Sequence, residues 1–97
     1  MRQPPEFFGN QELALVYIAK KLNQALKLEA LLTNAGYDYL VEADNYRGGF
    51  IFQSERVGAF FYVAPGSENA ARELLSANGY PPFEPLGKGD RKGDSNK

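Results

Sequence analysis

The chain's 97 residues fit one domain, and an apolar fraction of 43% gives that domain an ordinary globular core. It has neither cysteine nor histidine, which excludes a disulfide framework, thiol or Ser-His nucleophiles, and histidine or cysteine ligation of zinc, copper or haem. The formal charge is −1, and no apolar run approaches the ~18 residues of a membrane span.

Residues 1–12 contain Pro4-Pro5 and no periodicity, so they read as an extended N-terminal arm. Phe7 and Phe8 in it are suited to cover an edge of the core or of a partner. Residues 13–19 are short, apolar, β-branched and aromatic, which predicts a strand. Being apolar on both faces, it is expected at the centre of a sheet. Strict alternation sends Leu13, Leu15 and Tyr17 one way and Ala14, Val16 and Ile18 the other. Lys20-Lys21 leads into a helix with Asn23 as its N-cap or with a start one or two residues earlier. Ala25, Leu28, Leu31, Leu32 and Ala35 share one face of it, Leu22 and Leu26 lie off that face, and Gly36 stands at a left-handed C-cap.

Residues 37–43 alternate as a second strand, Tyr37, Tyr39, Val41 and Ala43 against Asp38, Leu40 and Glu42. Residues 44–49 then have the composition of a turn, 50–53 of a third strand, 54–58 of a turn with Gly58 at positive φ, and 59–63 of a fourth strand. Pro65-Gly66-Ser67 stops that strand. Ser67 is a good N-cap and Glu68 suits the positive end of the helix dipole. The second helix carries Ala71, Leu74 and Leu75 inward and ends at Gly79. Residues 80–86 hold three prolines, so they are expected as an extended edge piece where a last strand would go. Residues 87–97 are glycine-rich and charged and read as a disordered tail, leaving 13–86 as the single folded domain.

One internal echo ties these elements together. Ala14-Leu-Val-Tyr17-Ile-Ala19 returns as Ala59-Phe-Phe-Tyr62-Val-Ala64. Each copy runs into Leu-Leu-x-x-x-Gly-Tyr, at Leu31, Leu32, Gly36 and Tyr37 and at Leu74, Leu75, Gly79 and Tyr80. A β-α unit used twice within the order β-α-β-β-β-α predicts a ferredoxin-like α+β sandwich, with two helices on one face of a mostly antiparallel sheet.

Leu15-Val-Tyr-Ile18, the helix into Leu31-Leu32 and Ala35-Gly36-Tyr37, and Leu40-Val41-Glu42-Ala43 together carry a family resemblance, with Phe61-Tyr-Val-Ala64 and Ser67-Glu-Asn-Ala-Ala71. Over residues 13–79 the chain resembles the short prokaryotic proteins assigned to signal transduction and grouped with the PII-like superfamily. The resemblance implies a regulatory role and carries no catalytic residues over. The long, exposed nucleotide-binding loop of the nitrogen-regulatory proteins has no counterpart here, which argues against ATP binding of that kind.

Function is sought first on the sheet face away from the helices. Leu15, Tyr17, Phe60 and Tyr62 are assigned to it on the basis that Val16, Ile18, Phe61 and Val63 face the helices. An apolar face of that size predicts a homodimer or another protein partner, with aromatic anchors, unless the arm covers it. The same aromatics could stack single-stranded RNA. Residues 1–86 carry seven Lys/Arg against ten Asp/Glu, however, so nucleic acid is not expected. A sensor for a small anion or metabolite is the alternative, with Tyr46, Arg47, Gly48 and Gly49 offering a cation and backbone N–H groups, and Gly66 and Ser67 a helix start. Asp38, Glu42 and Asp44 read as a solvated strand face rather than an acid–base pair. The expectation is therefore a cytoplasmic, non-enzymatic protein with no cofactor and no metal.

Overall fold

The computed structural model describes residues 1–48 and 54–83, the side chains of residues 47, 48, 54 and 55 excepted. The strand expected at 50–53, Gly49, and the tail expected at 87–97 lie outside the described residues. Five main elements follow in order: β1 (Ala14–Ala19), α1 (Leu22–Asn34), β2 (Tyr39–Gly48), β3 (Ser54–Val63) and α2 (Glu68–Ala77). The strands form one antiparallel sheet in the order β1-β3-β2. β1 and β2 therefore run parallel with β3 between them, and α1 is the crossover that joins them.

Both helices lie on one face. Val16, Tyr39, Phe61 and Val63 of the sheet meet Ala25, Leu28 and Leu32 of α1 and Ala71 and Leu75 of α2 in a single cluster. Wholly buried side chains such as Leu28, Leu32, Phe61 and Leu75 each contribute about 1.5–3 kcal/mol by leaving water. Tyr39 is 1% exposed, and its hydroxyl donates to the Glu29 carbonyl at 3.0 Å and bonds the Thr33 hydroxyl at 2.8 Å. The buried oxygen is thus satisfied, as burial requires.

The echo's helix ends form alike. Gly36 and Gly79 stand at φ 88° and 85°, and the N–H groups of Tyr37 and Tyr80 reach back to the carbonyls of Leu32 and Leu75. That six-to-one bond needs a left-handed residue, which glycine supplies without a Cβ clash. The N-cap of α1 is Lys21, the earlier of the starts the sequence allows, and Ser67 caps α2 by position but makes no side-chain bond.

The extents of the strands differ from those expected. The described chain between the helices forms two long strands, and pairing continues through the residues expected as turns, from Asp44↔Gly58 to Gly48↔Ser54. Gly58 is not at positive φ. It is needed for room: a Cβ there would lie 3.0 Å from Ile18 Cγ2 and Tyr46 Cε1 and 3.1 Å from the Ala19 carbonyl.

β1 is an edge strand, not a central one. Its outer side is covered by the proline-rich piece after α2, whose Phe83 N–H donates to the Val16 carbonyl at 2.7 Å. The apolar residues on both faces of β1 are explained by what lies over each face rather than by strands on both sides.

Candidate functional site

The open sheet face is the site to be built, and a β-bulge decides which residues stand on it. Leu15 pairs with Tyr62, but Tyr17 pairs with Phe61, so Val16 is an extra residue on β1. A bulge of this kind breaks the alternation. Val16 and Tyr17 both turn to the helix side, and Ile18, opposite Phe60, turns to the open side. The assignment of Tyr17 to the open face is therefore corrected, and Ile18 takes its place. Tyr17 accepts a hydrogen bond from Gln24 Nε2 of α1 at 2.9 Å and meets Tyr80 edge-on at 5.8 Å. Burial, and then the neighbouring Tyr80, raise its phenol above the ordinary value. Leu15, Phe60 and Tyr62 stand where the sequence places them.

The N-terminal arm covers one end of this face. Gln3 N–H donates to the Tyr39 carbonyl at 2.8 Å and Tyr39 N–H to the Met1 carbonyl at 3.2 Å, so the arm begins beside β2. Gln3 Nε2 also donates to Asp38 Oδ1 at 3.1 Å, and this bond leads in holding the Asp38 carboxyl below its ordinary value. Tyr39, Val63 and Ala14 stand in one row across the sheet. The chain must therefore pass from the β2 edge to the β1 edge between residues 3 and 14. Pro4 and Pro5 border Leu40 on the open side of that end. Phe8 and Leu40, 5% and 8% exposed, are buried outside the helix-side cluster as a result.

The other end stays open. Leu15, Ile18, Tyr46 and Phe60 line a hollow of about 540 Å³, with Pro81 and Phe83 along its β1 side and Tyr17 still bordering it although its hydroxyl is held by α1. Tyr46 reaches over Gly58 toward Ile18, and the Lys20 ammonium stands 5.4 Å from the Tyr46 ring centre. Glu42 and Asp44 are exposed on the same face. Burial, followed by these two charges, raises the Tyr62 phenol.

The residues expected to bind an anion are not brought together. Tyr46 pairs with Arg56 near one end of β3, whereas Gly66 and Ser67 follow its other end, roughly 20 Å away at ~3.3 Å per residue. The Arg47 side chain and Gly49 lie outside the described residues, and Gly48 is described by its pairing with Ser54 alone. Of the three carboxylates considered for acid–base work, Asp38 is engaged by Gln3, and Glu42 and Asp44 are in solvent. Among the described residues no three potential ligands gather for a metal, and no helix is long and apolar enough to cross a membrane.

Arg72 was not singled out by the sequence. Its side chain is 11% exposed and pairs with Glu68 at 3.1 Å, donates to the Leu15 carbonyl at 3.2 Å, and donates to the Phe83 carbonyl. It thus joins α2, β1 and the covering piece. The only local signal was the i,i+4 spacing of Glu68 and Arg72.

The fold and site define an α+β protein with an open, partly covered antiparallel sheet. No protein-family model, curated protein or solved structure matches the chain.

Proposed function

We propose that this is a non-enzymatic interaction module that self-associates through the uncovered end of its open sheet face. The observation that carries the reading is the hollow formed by Leu15, Ile18, Tyr46 and Phe60, apolar and aromatic on a face without helices. Such anchors dominate interface energies. A second copy is the partner favoured by charge. Lys20 stands at one rim and the exposed Glu42 and Asp44 share the face, so a twofold pairing sets opposite charges against each other. A regulatory role, as the family resemblance implies, fits a module without catalytic groups. The ferredoxin-like reading belongs here too: in the order β1-β3-β2, the Phe83 N–H bonded to Val16 stands where a fourth strand would pair with β1.

Sedimentation velocity tests the association. The wild type is expected to run as a dimer at tens of micromolar, and Ile18→Glu or Tyr62→Glu as folded monomers. A wild type that stays monomeric at high micromolar concentration contradicts the proposal.

A further inference from the structure

We infer that the hollow beside the start of α1 is a binding site for a small phosphorylated molecule, held by Lys20, Lys21 and Lys27. Residues 1–86 contain three lysines, and all three line this one hollow of about 440 Å³. They do so in a region that is net acidic. Two of the arginines in that region are paired. Arg2 pairs with Glu29 at 3.3 Å and Arg72 with Glu68 at 3.1 Å. Among the described residues no carboxylate lies within ion-pair distance of any of the three lysines, and the first turn of α1 contains no acidic residue. The Lys20 ammonium stands 5.4 Å from the Tyr46 ring centre, and an anion bound beside Lys21 and Lys27 draws it into this hollow.

The chemistry of the lining sets the class of ligand. Lysine is a compact point charge with three donors and no planar fork, so it reads charge density rather than the flat shape of a carboxylate. Three such charges suit the two or three negative charges of a phosphomonoester or pyrophosphate. Gln24 is already committed, its Oε1 accepting from Lys20 N–H at 3.1 Å and its Nε2 donating to Tyr17. The exposed Asn23 amide remains as a neutral donor, and Tyr80 supplies a ring on the same wall. The volume lies in the range of small-molecule sites. A long polyanion is disfavoured, because no basic track leads away from the hollow and the surrounding domain is net acidic.

This site shares only Lys20 with the sheet-face hollow and does not depend on self-association. The test is an amide-shift titration with sodium pyrophosphate at a fixed ionic strength of about 0.15 M, with a short single-stranded oligonucleotide as the second probe. Saturable shifts are expected at Lys20, Lys21, Asn23, Lys27 and Tyr80. The Lys21→Gln, Lys27→Gln double variant, changed only at exposed positions, is expected to fold and to bind pyrophosphate about tenfold more weakly. Three results would overturn the assignment: no saturable shift, equal affinity in the double variant, or a response to the oligonucleotide without one to pyrophosphate.

Discussion

Gly58 and Arg72 show how single residues fix the edges of this sheet. A methyl group at position 58 meets Ile18, the Tyr46 ring and the Ala19 carbonyl at once. The ring can swing away, but the backbone oxygen cannot. Gly58→Ala is therefore expected to cost about 1–2 kcal/mol in urea unfolding, as overpacking does, and unchanged stability would contradict this account. Arg72 acts through its reach. Its guanidinium serves two carbonyls on separate segments, Leu15 and Phe83. Arg72→Met keeps much of the packing and leaves both carbonyls without this donor. The expected loss is about 1–3 kcal/mol, together with faster hydrogen exchange at the Phe83 amide. Exchange at Phe83 as slow as in the wild type would show that the covering piece is held by something else.

The N-terminal arm makes the same point for an element, because its docking depends on a titrating group. The Gln3 amide keeps Asp38 ionised below the ordinary carboxylate value. A carboxyl lowered in the folded state stabilises the docked arm fully above its unfolded value, about 3.9, and that contribution is lost as pH falls through the lower, folded value. Chemical shifts of Phe8 are expected to report release of the arm in that acidic window. Asp38→Asn should remove the pH dependence, and persistence of the same transition in that variant would contradict the assignment. How legible each element was in the sequence follows from how local its cause is. The helix ends were legible because Gly36-Tyr37 and Gly79-Tyr80 carry their own hydrogen-bond pattern. The length of β2 and β3 was not, because Asp44, Asn45 and Ser54 have turn composition and only cross-strand pairing keeps them extended. Nor could alternation reveal the bulge at Val16, which turns Tyr17 toward α1 and puts Ile18 opposite Phe60 on the open face. Leu15, Phe60 and Tyr62 were placed correctly because they lie outside that irregularity. The lysine hollow was missed because Lys27 joins Lys20 and Lys21 only once α1 has formed.

At the scale of the whole molecule, the two sheet faces are finished in different ways. The helices cover the core of one face but leave Val57 exposed at its end. On the other, Phe8, Leu40 and Phe60 are buried, while Leu15, Ile18 and Tyr46 stay half-buried around the hollow. A second apolar region exists near Leu22, Leu26 and Val57, which are 76%, 55% and 65% exposed. The association proposed above uses the sheet face, where aromatic residues and both signs of charge occur together. The most direct measurement is an isotope-filtered NOE experiment on a mixture of labelled and unlabelled copies. Contacts between copies are predicted at Leu15, Ile18 and Phe60, and none at Leu22, Leu26 or Val57. Contacts confined to those last three residues, or no contacts between copies at all, would contradict the central claim.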